Sequence, residues 1–164
     1  MPWGVSALLL LAGCAAAPAP PPSPAEVSPF NATDTAWVQL MIPMNEQLLP
    51  ALDVAPASLA QFAADLKASH AQELVHLRQL RDRAGLPDTN VHAGHQMPGL
   101  VSEADLLVIR TDPSALPKKL REHLEQTAKL ARSELENGTD AATKEFAASV
   151  ESSRRDQLGR LGQG

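Results

Sequence analysis

Residues Phe62 to Leu77 read FAADLKASHAQELVHL, and Phe146 to Leu161 read FAASVESSRRDQLGRL. Phe, Ala, Ala, Ser, Leu and Leu recur at identical offsets in the two stretches. Helical periodicity alone would reproduce the leucines, but not the Phe-Ala-Ala run. The segments ahead of them agree too, because Met44-Asn45-Glu46-Gln47 matches His123-Leu124-Glu125-Gln126. The chain reads as an internal duplication, each copy contributing a pair of helices.

Working outward, Asn31 to Asp34 supplies a cap for a helix carrying Trp37, Leu40, Met41, Met44, Leu48 and Leu52 at three- and four-residue spacing. Pro43 lies inside this helix, lacks a backbone N–H, and is expected to kink or deform its middle. Ser58 is expected to cap the second helix, with Leu59, Phe62, Leu66, Leu77, Leu80 and Ala84 on one stripe; Gly85 and Pro87 stop it. A loop rich in Gly, His and Pro follows from Leu86 to Leu100. Ser102 with Asp105 then makes a capping-box start for a short helix over Glu103 to Ile109. Asp112-Pro113 or Ser114 opens a helix with Leu116, Leu120, Leu124, Leu130 and Leu135, closed by Asn137-Gly138. The last helix runs from about Asp140 to Leu161 on Phe146, Val150, Ser153, Leu158 and Leu161. No stretch shows the alternation of a half-buried strand. The expected fold is all-α: a four-helix bundle of two duplicated hairpins joined by a loop and a short helix.

The 164 residues are 44% hydrophobic and 20% charged with a formal net charge of -5, which suits one globular domain and offers no field for nucleic acid. Tyr is absent and aromatics make up 3%, so a base-stacking surface is not expected. Many of the 14 prolines fall in the stretch PAPPPSPAEVSP from Pro18 to Pro29, an extended tether rather than a core. Ahead of it, the apolar run Val5 to Ala12 is too short to span a bilayer and fits the h-region of a secretory signal. Leu11-Ala12-Gly13-Cys14 resembles the bacterial lipobox, and Cys14 is the single cysteine. The expected organisation is a signal peptide over 1–13, a lipidated Cys14 with its tether over 14–29, and the bundle over 30–164. No Lys or Arg precedes the apolar run, a departure that agrees with a start codon further upstream.

His70 and Glu73 interrupt the apolar stripe of the second helix, one turn apart and facing the same way. Burying them without partners costs roughly 1–3 kcal/mol per unsatisfied group. One reading is a hydrogen-bonded polar layer that sets bundle register. The other makes them metal ligands facing Met41 and Met44, a thioether and imidazole set that favours Cu(I). Methionines at i, i+3 on an apolar face also serve as core filler. Glu73-Leu-Val-His76 fits the Glu-x-x-His of di-iron bundles, but the second copy offers no His, which argues against di-iron chemistry. In the loop, His92, His95 and Met97 place three soft or borderline donors close together, either a weak copper or zinc site or a polar connector. His123 alone reads as a surface or core histidine before it reads as a ligand. No nucleophile elbow or phosphate-cradling glycine loop is present, so no enzymatic activity is expected.

From about Asp34 to Leu161 the chain resembles the domain of unknown function 305 (DUF305) family, ferritin-like bundles of bacterial cell envelopes, some implicated in copper handling. The resemblance rests on Met41-Ile42-Pro43, on His92-Ala-Gly-His95-Gln-Met97-Pro98-Gly99-Leu100, and on Glu73-Leu74-x-x-Leu77. The family's hallmark is a His-His pair in the first helix of each hairpin. Here Met44-Asn45 and His123-Leu124 stand in those places. Its Gln-x-x-Glu on the second helices is met by His70-x-x-Glu73 and Arg154-x-x-Gln157, and Leu100 stands where MPGM ends in Met. The resemblance thus implies the fold with a degenerate site. Together with the lipobox, it leads to the expectation of a lipid-anchored envelope protein on the extracytoplasmic face of the membrane, with copper the one cofactor expected. The membrane is its partner through the anchor, a protein partner and self-association are left open, and nucleic acid is excluded. The alternative is a structural or interaction module that has lost its metal site.

Overall fold

Asn31 begins the first helix by a capping box: its side-chain oxygen accepts from the backbone N–H groups of Thr33 (2.7 Å) and Asp34 (3.0 Å), and Asp34 accepts in return from Asn31 N–H at 2.6 Å. A computed structural model describes residues 28–163. Among them are helices α1 (Ala32–Leu52), α2 (Ala60–Arg83), α3 (Glu103–Thr111), α4 (Leu116–Asn137) and α5 (Ala141–Leu161), and no strand. The signal, the lipobox with Cys14 and most of the Pro-rich tether lie outside the described residues. No helix among those described is long and apolar enough to cross a membrane.

Most boundaries fall where the capping chemistry puts them. Ser102 and Asp105 close their box at the start of α3, Asp140 caps α5 through Thr143 N–H, and Gly85 leaves α2 with φ +66°. One expectation needs correction. Ser58 does not cap α2; the chain enters through a 3-10 turn at Ala57–Leu59, in which Leu59 N–H donates to the Pro56 carbonyl at 2.8 Å. The tight turn after Pro56 supplies the start that a side chain was expected to supply. Helix α1 runs on through both Pro43 and Pro50. Trp37, Val38, Met41, Met44 and Leu48 are all buried along this helix, and their packing outweighs the lost backbone bond.

Core membership gives the topology. One apolar cluster joins Leu48 and Leu52 late in α1, Phe62 and Leu66 early in α2, Leu116 to Leu124 early in α4, and Leu161 at the end of α5. The other joins Trp37 and Met41 early in α1, Leu77 and Leu80 late in α2, Ala131 late in α4, and Ala147 and Val150 early in α5. Neighbouring helices therefore run antiparallel, with α1 against α2 and α4, and α5 against α4 and α2. The end of α2 and the start of α4 lie at opposite ends, so the connection carrying α3 crosses the length of the bundle. One long crossover is the ferritin-like arrangement. Each copy's phenylalanine serves a different end. Phe62 is buried in the first cluster; Phe146 is half-buried against the second, edge-on to Trp37 at 5.9 Å.

Candidate functional site

Between the two apolar clusters, at mid-height, the four helices present polar side chains to one another. From α1 comes Asn45, from α2 His70 and Glu73, from α4 His123 and Thr127, and from α5 Arg154 and Gln157; all are buried. The duplication explains why they meet. Arg154 follows Phe146 at the offset of His70 from Phe62, Gln157 matches Glu73, and His123 matches Met44.

Half of this layer is an ion pair. Arg154 donates to Glu73 through two nitrogens, at 2.8 and 2.5 Å, a forked geometry that fixes both groups. Its Nε donates to the Thr127 hydroxyl at 2.9 Å, and another bond reaches Gln157 at 3.1 Å. Asn45 adds a donor to Glu73 at 2.9 Å, while its own side-chain oxygen has no partner. Glu73, expected to face methionines of α1, is thus held by Arg154 of the other hairpin.

The other half is a pair of imidazoles from opposite hairpins. His70 Nε2 and His123 Nε2 stand 3.0 Å apart. His70 Nδ1 faces the Leu66 carbonyl at 3.1 Å, and His123 Nδ1 faces the Gly99 carbonyl at 3.1 Å. Burial first, and then the Arg154 charge among others, hold both rings well below the usual histidine range, so both are neutral at pH 7. A carbonyl can only accept, so in the tautomer that satisfies both carbonyls each Nδ1 carries its ring's one proton. Two bare Nε2 lone pairs then confront each other. The other tautomers only move the mismatch to a carbonyl: three contacts share two protons. A third proton or a cation between the rings resolves it.

Gly99 makes the His123 contact possible. It has φ +75°, and a Cβ there would lie 2.6 Å from Gln126 Cβ, so only glycine lets the crossover press its carbonyl onto α4. Met41 packs in the Trp37 cluster as core, and Met44 is buried one turn on. The metal reading of the sequence set His70 and Glu73 against Met41 and Met44; instead His70 meets His123 of the other hairpin. The reason is the antiparallel pairing, which brings the middles of all four helices to one level. His92 and His95 come together in the crossover with rings 5.9 Å apart, and they line, with Met97, a cleft of about 670 Å³ against Gln47 and Pro50. This loop cluster is separate from the buried pair. His76 is exposed and stacks on Phe146. Among the described residues no group of three or more His, Cys, Asp or Glu is placed to hold a metal ion.

Sequence reasoning placed Asn45 and Gly99 only as motif positions, without their roles, and did not single out Thr127. The duplication carried a signal for Asn45, which lies beside the position matching His123. Nothing local marked Thr127, whose role depends on a guanidinium from another helix.

No family model matches the chain, and no curated protein matches it. Solved structures do. A DUF305 fragment from Deinococcus radiodurans is similar with a TM-score of 0.69 at 17% identity, over 83% of this chain and 99% of that one. A DUF305 protein from Streptomyces coelicolor that carries the name of a secreted protein is similar with a TM-score of 0.68 at 15% identity, over 79% of this chain and 89% of that one. The all-helical bundle shares the fold of these DUF305 structures, the fold that the resemblance in the sequence implied.

Proposed function

We propose that this is an extracytoplasmic module, lipid-anchored through Cys14 and without enzymatic activity, that holds one soft cation of the Cu(I) class between His70 and His123. The observation that carries the reading is the buried pair itself, with Nε2 atoms 3.0 Å apart while each Nδ1 faces a backbone carbonyl, three contacts for the two protons of neutral rings. Imidazoles whose Nδ1–H groups rest on backbone carbonyls have the orientation and basicity of metal ligands. Cu(I) suits a site of few borderline or soft donors. Each nitrogen would stand about 2 Å from a shared ion, so an ion enters as the rings part. Similarity to a protein named as secreted supports the extracytoplasmic placement, as does the signal-like N-terminus. His92, His95 and Met97 would form a second, weaker site, since an exposed loop loses entropy on ordering.

The test is Cu(I) titration of the soluble domain against a competing chelator, with His70→Ala, His123→Ala and the His92→Ala/His95→Ala variant alongside. Wild type should compete, and the two single variants should lose the tighter event. Failure of wild type to compete ends the metal reading, and wild-type binding by both single variants ends it for the buried pair. Uptake of labelled lipid by wild type but not by Cys14→Ala tests the anchor.

One observation favours a second reading. The Arg154 guanidinium already occupies Glu73 and places a fixed positive charge near the imidazoles, which opposes a further cation. On that reading the layer only fixes bundle register, and the module acts through its surface.

A further inference from the structure

At the end of the bundle where α1 begins, the α4–α5 turn closes over two carboxyl groups. Glu134, in the last turns of α4, is fully buried, and neither of its oxygens meets a protein donor. Gly138 lies directly over it: a Cβ there would come within 2.1 Å of Oε1. Beside it, Asp34 of α1 is equally buried but well supplied. Its carboxylate accepts the backbone N–H groups of Asn31 at 2.6 Å, Thr139 at 3.1 Å and Asp140 at 3.1 Å. Three N–H donors fix the negative charge on Asp34. A second negative charge on Glu134 would have no donor and an anionic neighbour, so the Glu134 carboxyl stays neutral and its O–H turns to Asp34.

The same turn fastens the chain that enters α1. The Thr139 hydroxyl lies 2.9 Å from the Pro29 carbonyl, Asn31 donates its side-chain amide to the Asn137 carbonyl at 2.8 Å, and Arg83 of α2 pairs with Asp140 while covering the Phe30 ring. We propose that Asp34 and Glu134 share one proton as a latch, which holds the α4–α5 turn on the Pro29–Asn31 segment and opens when that proton leaves. The groups facing the pair are Asp140 of the turn, Lys144 of α5, and Arg83 of α2 through Asp140. Lys144 favours the ionised glutamate, and Asp140 opposes it.

Burial, then the bond and charge of Asp34, push Glu134 up to about 8. Burial pushes Asp34 up as well, but the bonds from Glu134, Asn31, Thr139 and Asp140 outweigh it and hold it at about 2. The sign follows. Between the ordinary glutamate value of 4.5 and about 8 the folded chain keeps a proton that the unfolded chain releases, so folding weakens as pH rises. The loss is about tenfold in the folding constant per pH unit, levelling above the folded value. Asp34 contributes in the opposite direction only below its ordinary 3.8.

Carboxyl carbon NMR and hydrogen exchange of the intact chain, corrected for intrinsic rates, test the latch. Glu134 should titrate near 8, and the 28–36 segment and the 137–141 turn should lose protection together through the same pH range. Glu134→Gln, which keeps a donor but cannot ionise, should abolish that loss and flatten the fall in stability above pH 5. Titration of Glu134 in the ordinary glutamate range, or unchanged protection while it ionises, would overturn the proposal. Both wild-type measurements decide the matter even where the glutamine variant does not fold.

Discussion

Arg154 is fully buried, and Glu73 nearly so; each satisfies the other through the forked pair. Taking both charges out of water is costly, and the pair offsets that cost only while it is complete. Glu73→Ala, which strands the guanidinium, is expected to cost about 3–5 kcal/mol in urea unfolding. Replacing the pair together, as Glu73→Met/Arg154→Leu, should be near neutral or stabilising by about 1–4 kcal/mol. A double variant as damaged as the single one would mean that the layer is held by something other than this pair. His70 and His123 differ in kind from it, because two neutral rings bring two protons to three contacts.

The crossover between α2 and α4 turns on its glycines, and two of them separate local strain from packing. Gly94 and Gly99 both have positive φ, but only Gly99 sits against another element, with Gln126 Cβ and the Glu122 carbonyl in the path of any side chain. Gly94→Ala should therefore cost only the backbone term, on the order of 1–2 kcal/mol. Gly99→Ala adds a clash with α4 and lifts the carbonyl from His123, so its cost in chemical denaturation should be clearly greater. Equal costs would show that the crossover is not pressed onto the helix. Element starts divide along the same line. Asn31 and Ser102 cap as their spacing implied because a capping box needs only residues within one turn. Ser58 does not, because Pro56 directs the chain into a 3-10 turn first.

At the scale of the whole molecule, the duplicated hairpins place their phenylalanines at opposite ends, in environments of unequal depth. Phe62 lies within its cluster, and Phe62→Ala is expected to cost about 3–5 kcal/mol. Phe146 is half-buried between Trp37 and His76, so Phe146→Ala should cost less, by an amount that thermal or urea unfolding resolves. A larger loss at Phe146 would contradict the packing described for that end. The up-down-down-up order with its single crossover follows from which apolar stripes share a cluster. It matches the DUF305 structures at identities of 17% and 15%.

Helix periodicity, local caps and the repeated Phe-Ala-Ala run were enough to read an all-α bundle of two hairpins, because each of these signals is short-range and written in residue spacing. The same spacing showed that His70 and Glu73 turn inward. It could not show what they meet. Partners such as His70 with His123, Arg154 with Glu73, and Glu134 with Asp34 come from different helices, far apart in the chain. They face one another only once antiparallel packing has set the height of each helix against its neighbours.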